Sequence, residues 1–244
     1  MALRSAIILA VVIFCLTLLA RLPARSAVSL LPAGVSCEDP SGTLWRGSCS
    51  QLRANELSIA GVSWKLHPLA LLGLKLSADL SSADPSAGGS ASIEAARNGD
   101  VAIRNLRGRL PLSMTSRVLP PGDSATLVLE LPAAKIQNGH LVAVEGTIQL
   151  LQLHTASPRA DLGSYELQFP SGHTQSTMVG QLRDLEGPLA VNGQVRLEMS
   201  GNYEAEGTVV ARDSATEDLN KALQLFLGPA NPQGQRSFSL AGTL

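Results

Sequence analysis

Apolar and polar positions alternate in short stretches along most of the chain, and each stretch is bounded by Gly, Asn, Asp or Pro. Alternation places every second side chain on one face of a strand, so these stretches predict half-buried β-strands. Pairs such as Asn98-Gly99 and Asn138-Gly139 lie between stretches and favour tight hairpin turns. We therefore expect a mainly β chain arranged as an antiparallel meander, with two separate strands on either side of Gly146 and a strand over 52–59.

Two segments depart from this alternation and predict helices. Pro68 suits the first position of one or two helical turns, and Gly73 suits their end. A longer helix is expected near the C-terminus, capped by Asp213 or Ser214 and ended at Gly228. Its apolar positions share one face at helical spacing, and we expect that face to cover part of the sheet: Leu219, Ala222, Leu223, Phe226 and Leu227.

An uninterrupted apolar run covers residues 6–20, between Arg4 and Arg21. A spanning helix needs about 20 residues, which flanking residues supply only marginally, and a signal peptide has an apolar core of about 7–15 residues. The run therefore fits either a membrane anchor or a cleaved signal peptide. Cleavage after Ala27 would place bulky Arg25 where a small residue is wanted, so an uncleaved anchor is favoured.

This interpretation divides the chain into four parts. We expect a short cytoplasmic tail at 1–5, a transmembrane anchor at 6–23 and a membrane-proximal linker at 24–36. The remaining residues, 37–244, form one translocated β domain. A short tail before a large domain favours translocation of the domain.

Two of the three cysteines lie just beyond the anchor. Cys37 and Cys49 are twelve positions apart, and in an oxidising compartment they could close a loop worth about 3 kcal/mol on the chain-entropy model. The alternative is a pair of free, buried thiols. Neither His nor a cluster of acidic residues accompanies the pair, so a metal site is disfavoured.

Composition and motifs argue against several classes of function. The net charge of −1 lacks the basic patch of a nucleic-acid binder, and 3% aromatic residues leave little for stacking on bases or sugars. The sequence has no nucleophile-elbow or phosphate-loop motif, and its four histidines are scattered. We therefore expect neither enzymatic activity nor a metal or cofactor.

Both tryptophans of the chain lie close together in sequence, at Trp45 and Trp64. A buried indole supplies a large apolar area and needs a partner for its N–H. One interpretation is that both rings are core at the membrane-proximal end of the domain. The other is that they form a docking surface beside the membrane.

The segments 42–47 and 62–73 resemble the N component of the bacterial type II secretion system, as does the glycine-punctuated stretch 180–189. The resemblance extends from about Gly34 to the end of the chain. The positions that carry it, and that we take as core or docking candidates, are Gly42, Thr43, Leu44, Trp45, Gly47, Trp64, Leu66 and Pro68.

The resemblance implies a single-pass inner-membrane protein of a Gram-negative bacterium, with its bulk in the periplasm. It implies a non-enzymatic accessory or scaffold role in exporting folded proteins across the outer membrane. The partners it implies are the inner-membrane platform proteins of the apparatus or the outer-membrane secretin.

This family also resembles membrane-anchored β-groove proteins of the AsmA type. Together with the patterns above, we expect a mainly β fold: a curved, partly open antiparallel sheet, a groove or half-barrel, with one C-terminal helix, preceded by a single N-terminal transmembrane helix. The likeness also gives a second hypothesis for the function, a lipid-binding or lipid-transport module. Lipid is then a further candidate ligand.

Overall fold

The structure is a computed structural model of the chain, and it describes residues 14, 17–28, 34–54, 57–112, 122–156, 159–171 and 177–243. The described part is mainly β, as predicted. Its strands are β1 (Val35–Glu38), β2 (Ser41–Gly42), β3 (Arg46–Ala54), β4 (Leu57–Leu66), β5 (Lys75–Ser82), β6 (Gly89–Ala96), β7 (Val101–Pro111), β8 (Ser124–Gln137), β9 (His140–Ala156), β10 (Arg159–Phe169), β11 (Thr177–Glu186), β12 (Leu189–Glu198), β13 (Asn202–Ala211) and β14 (Gln235–Thr243). Its helices are α1 (Ala24–Val28), a 3-10 helix (Pro68–Gly73) and α2 (Glu217–Leu227).

All described strands belong to one open antiparallel sheet. The order is β1-β3-β4 and then sequentially to β14, with β2 paired to β3 beside β1. Each strand from β4 onward pairs with the strand before it, so the predicted meander is confirmed.

Two predicted boundaries along this meander are wrong. The stretch 52–59 belongs to two strands, because Ala54 pairs with Leu57 across a hairpin. Gly146 does not separate strands, since β9 runs unbroken from His140 to Ala156 and accommodates this glycine at φ 121°.

The two faces of the sheet differ in polarity. On one face Leu129, Ile148 and Leu167 lie opposite one another across β8, β9 and β10. A buried cluster on the same part of the sheet consists of Leu131, Val144, Phe169 and Met178. On the other face lies a row of polar side chains, Gln149, Glu166 and Arg183. The buried core of this part of the sheet is therefore built from one face of the meander.

Helix α2 covers the sheet near β10, β12 and β13, as predicted from its apolar face. Leu219 packs with Leu189 and Val209, and Leu223 and Leu227 pack against this cluster. These helical positions are four residues apart, so the buried stripe turns gradually around the helix.

Two details of the α2 prediction need correction. Phe226 is predicted on the buried face, but it lies outside the stripe of Leu219, Leu223 and Leu227 and is 81% exposed. The N-cap is Thr216 rather than Asp213 or Ser214, because Thr216 Oγ1 accepts a hydrogen bond from Leu219 N at 3.3 Å.

The predicted anchor, residues 6–23, lies largely outside the described residues. The backbone of residues 17–20 is helical. Among the described helices, none combines the length and the apolar character needed to cross a membrane. Within the segment predicted as a linker, 24–36, the structure places α1 and the first residues of β1.

Candidate functional site

The segment 42–47 forms a tight turn between β2 and β3. Gly42 has φ 86°, a conformation that favours glycine. Thr43 closes the turn twice, because its N–H donates to Arg46 O at 2.8 Å and its Oγ1 accepts from Arg46 N at 3.2 Å. We call residues 42–47 the tryptophan turn.

Gly47 is required by the ring of Trp64. These residues face one another across β3 and β4. A Cβ at Gly47 would lie 2.8 Å from Trp64 Cε2 and 2.7 Å from the Ser41 carbonyl oxygen, which is closer than side chains tolerate. The ring is fixed in place because Trp64 Nε1 donates to Leu44 O at 3.0 Å. Gly47 and Trp64, which belong to separate segments of the sequence motif, are therefore partners in one packing contact.

The tryptophan turn also holds the N-terminal segment. Trp45 Nε1 donates to Leu19 O at 2.8 Å. Leu44 N donates to Leu22 O at 2.8 Å, and Pro23 forms an isolated antiparallel bridge with Thr43. Ala24, which follows directly, is 1% exposed.

These contacts bear on the two interpretations of the tryptophans. Each indole N–H has its own backbone acceptor, one in the N-terminal segment and one in the turn. The turn is thus a fastening between the apolar N-terminal segment and the first strands of the sheet. The sequence contains no signal for the partners Leu19 and Leu22, because each lies more than 20 residues from the residue it bonds to in the turn.

The other motif positions follow at the end of β4. Leu66 N donates to Trp45 O at 2.7 Å. Pro68 begins the 3-10 helix and Gly73 is its last residue, as predicted; Leu74 follows as the C-cap residue with φ 55°. We call residues 67–76 the leucine connection. Its leucines are exposed to solvent: Leu69, Leu71, Leu72, Leu74 and Leu76.

A polar chain supports the base of the leucine connection. His67 Nε2 lies 2.7 Å from Asp79 Oδ2, and Ser92 Oγ donates to Asp79 Oδ1 at 2.7 Å. The hydrogen bonds from Ser92 and His67 lower the pKa of Asp79. The serine hydroxyl contacts the carboxylate, so this trio does not have the order of a nucleophile activated by histidine.

Cys37 and Cys49 are joined as a disulfide in the structure, with Cα atoms 5.6 Å apart. The bridge links edge strand β1 to β3, and Cys49 is buried. The tryptophan turn lies between the two cysteines in sequence. The bridge therefore encloses the turn that holds the N-terminal segment.

Two further ion pairs were missed in the sequence. Arg183 contacts Glu166, whose pKa is lowered by hydrogen bonds from Gln149 and Arg183 despite its burial. Partial burial acts to raise the pKa of Asp184, but hydrogen bonds from Arg212 and from Val191 N outweigh it and lower that pKa. The register of β10 and β11 places Glu166 opposite Arg183. Asp184 and Arg212 lie 28 residues apart and are not register partners, so the sequence gives no local signal for their contact.

The described residues offer little for metal or acid–base chemistry. None of their His, Cys, Asp and Glu side chains form a group of three or more that could hold a metal ion. A cavity of about 770 Å³ lies at the other end of the strands, beside Ser124, His154 and Asp161. The tryptophan turn contributes none of its lining.

An apolar hollow of about 240 Å³ opens on the leucine-rich face, and strands β3 to β8 all contribute to its lining. We call it the apolar trough; its main apolar side chains are Leu52, Ile59, Val62, Leu80, Leu106 and Leu129. Leu80 lies on β5 at alternate positions from Leu76 of the leucine connection. The two residues therefore share a face of that strand.

Comparisons with known proteins agree with the resemblance found in the sequence. The family model described as "Type II secretion system (T2SS), protein N" matches residues 33–239. A relative from Vibrio cholerae serotype O1, described as "Type II secretion system protein N", is 25% identical over 239 residues, and the match covers 91% of each chain. No solved structure matches the chain significantly. The matched region includes the tryptophan turn and the leucine connection.

Proposed function

Since the chain belongs to the type II secretion system protein N family, we propose that it is a membrane-anchored, non-enzymatic scaffold of that apparatus. Family membership makes it a component of a secretion system and so a protein of the cell envelope. The finer proposal is a single-pass inner-membrane protein whose β domain lies in the periplasm.

One observation carries this proposal: the tryptophan turn fastens the N-terminal segment to the sheet. Three contacts reach that segment from the turn, through Trp45, Leu44 and Thr43. A scaffold that holds a folded domain in a fixed orientation relative to the membrane needs such a junction. A free linker would let the domain turn independently of its anchor.

The disulfide supports the proposed compartment. Disulfides persist in the bacterial periplasm and are rare in the cytosol. Cys37 and Cys49 stand at bonding geometry across neighbouring strands. We propose that they are oxidised in the cell, and that Cys15 belongs to the anchor.

The proposed partners are the inner-membrane platform proteins or the secretin. In-cell crosslinking of the full chain, followed by mass spectrometry, tests this directly. We expect capture of other components of the secretion apparatus, and loss of that capture in cells that lack the apparatus genes.

A second readout concerns export. Deleting the gene should leave exoproteins in the periplasm, and the full chain should restore their secretion. Intact secretion after deletion, together with no captured apparatus component, would contradict the proposal. The variant Leu225→Ala serves as a control for restoration, because Leu225 on α2 is 80% exposed and lies outside the tryptophan turn and the leucine connection.

The apolar trough favours a second candidate function, a lipid-binding or lipid-transport module. A flat sheet would hold β3 and β8 roughly 24 Å apart, at about 4.8 Å per strand. Both strands line the same trough, which supports a sheet curved into a groove. Its volume of about 240 Å³ is below the roughly 300–1,000 Å³ of typical ligand sites, so part of one acyl chain is the fitting occupant.

Native mass spectrometry of gently extracted protein separates the two candidates. A lipid adduct that disappears in the variant Leu129→Gln would favour the lipid module. Absence of any adduct would leave the scaffold as the better explanation of the fold.

A further inference from the structure

The leucine connection exposes far more apolar surface than a turn between two strands needs. Leu69 is 78% exposed, Leu72 is 84% exposed and Leu74 is 66% exposed. No residue of the 3-10 helix is buried. Isolated exposed leucines are ordinary on protein surfaces, but a contiguous apolar patch marks a surface that meets something apolar.

One exposed leucine of this connection, Leu74, also has an unfavourable backbone conformation. Leu74 adopts φ 55°, where a residue with a Cβ is uncommon and glycine is at ease. Gly73, the residue before it, is surrounded by open space. The strained position is therefore occupied by a leucine that points into solvent, so packing within the domain does not explain it.

The leucine connection lies beside the N-terminal segment. Trp45 contacts the end of β4, directly before the connection, because its carbonyl oxygen accepts from Leu66 N. Its Nε1 donates to Leu19 O in the N-terminal segment. The N-terminal segment carries exposed apolar side chains of its own, at Phe14, Leu18 and Leu19. The leucine connection and the N-terminal segment thus expose apolar side chains at the same end of the sheet.

Basic side chains outnumber carboxylates in the segments that carry these two apolar surfaces. Within the described residues 17–28, 41–49 and 62–80, the one carboxylate is that of Asp79, which contacts His67 and Ser92. The same stretches carry five basic side chains: Arg21, Arg25, Arg46, Lys65 and Lys75. Apolar side chains surrounded by basic residues are the composition of segments that lie in the interface of an anionic bilayer.

We infer that the leucine connection inserts its leucines into the bilayer surface from which the N-terminal segment emerges. It is a second membrane contact, about 50 residues from the anchor in sequence. This inference rests on the proposed anchor. Two contacts on either side of the tryptophan turn fix the tilt of the sheet relative to the membrane, which a single helix cannot do.

Site-directed fluorescence on the full chain tests the inference. Cys15→Ser removes the cysteine outside the disulfide, and Leu72→Cys carries an environment-sensitive dye. Leu225→Cys on α2 is the matched control, because Leu225 is 80% exposed at the opposite end of the strands. A third variant, Phe14→Cys, reports the anchor itself.

Each labelled protein is reconstituted into vesicles of phosphatidylethanolamine and phosphatidylglycerol, and its accessibility to aqueous iodide is measured. We expect a blue shift of emission and loss of iodide quenching at position 72, with neither change at position 225. Vesicles of phosphatidylcholine alone should give a smaller shift at position 72, because the basic side chains then lack an anionic surface.

Equal iodide quenching at positions 72 and 225 would overturn the inference. If position 14 is protected in that case, the anchor stands and only the leucine insertion fails. A solvent-accessible dye at both 14 and 72 would overturn the anchor as well. Protection at 72 without protection at 14 would support insertion and contradict the anchor.

Discussion

Replacing Gly47 by alanine tests whether the tryptophan turn is held by one packing contact. The new Cβ would lie 2.8 Å from Trp64 Cε2 and 2.7 Å from the Ser41 carbonyl oxygen. The carbonyl belongs to the paired backbone of β2 and β3, and the ring is fixed by its hydrogen bond to Leu44 O. Neither neighbour can move without breaking a contact of its own.

The magnitude follows from three contributions. Overpacking in a filled site costs about 1–3 kcal/mol. Displacing Trp64 forfeits a hydrogen bond worth about 1 kcal/mol. Against these, alanine is favoured over glycine in a strand by roughly 0.5–1 kcal/mol. We therefore expect Gly47→Ala to lower the free energy of unfolding by about 2 kcal/mol.

The assay is denaturant unfolding followed by intrinsic fluorescence and by circular dichroism. Fluorescence is selective for this region, because the chain has two tryptophans: Trp45 belongs to the tryptophan turn, and Trp64 donates a hydrogen bond to Leu44 O within it. Gly73→Ala is the matched control, since open space surrounds Gly73 and we expect its stability to be unchanged or slightly higher.

A Gly47→Ala protein as stable as Gly73→Ala, with unchanged tryptophan emission, would refute the reasoning. It would mean that the ring of Trp64 does not need the space above Gly47. A shift of emission without loss of stability would instead locate the effect in the turn alone and contradict the magnitude.

Three further predictions concern other parts of the domain. Leu219→Ala should lower the free energy of unfolding by about 2–4 kcal/mol, because Leu219 is buried between α2 and the sheet. Leu225 is exposed on the same helix, so Leu225→Ala should stay within about 0.5 kcal/mol of the parent. Equal stability of the two variants in thermal unfolding would disprove the packing of α2. Reducing the bridge between β1 and β3 should cost about 3 kcal/mol, measured by denaturant unfolding with and without reductant, and an unchanged midpoint would count against it. Ser92→Ala should raise the pKa of Asp79 towards its ordinary value of 3.8, as followed by NMR titration. The lowered pKa stabilises the fold above that ordinary value and the benefit is lost as pH falls through the folded-state pKa, so the variant should lose less stability on acidification; an unmoved titration would rule out the Ser92 hydrogen bond.

Local patterns predicted the elements of this fold well. Alternation identified the strands, since a strand's side-chain period is a property of the backbone and needs no tertiary information. Pro68 and Gly228 indicated a helix start and a helix end for the same reason. The error at Gly146 arose because glycine is typical both of turns and of bulges within strands, and the register of β8 and β9 shifts opposite this residue.

The faces of elements were harder to predict than the elements. Helical spacing placed Phe226 with Leu219, yet Phe226 is exposed. A helix of 11 residues touches the sheet along a narrow stripe, and the angle at which it crosses decides which flank stays in water. Leu189 and Val209, the residues that pack against Leu219, belong to strands distant in sequence.

Local patterns were enough to identify a β meander of this family, because strand period, turn residues and the two tryptophan segments can each be read over a few neighbouring positions. What those tryptophan segments contact depends on the fold. Only the fold brings Trp45 to Leu19 and the leucine connection to the same end of the sheet. A hydrogen bond between residues 26 positions apart leaves no periodic trace in a sequence, because its geometry is set by the strands that carry it.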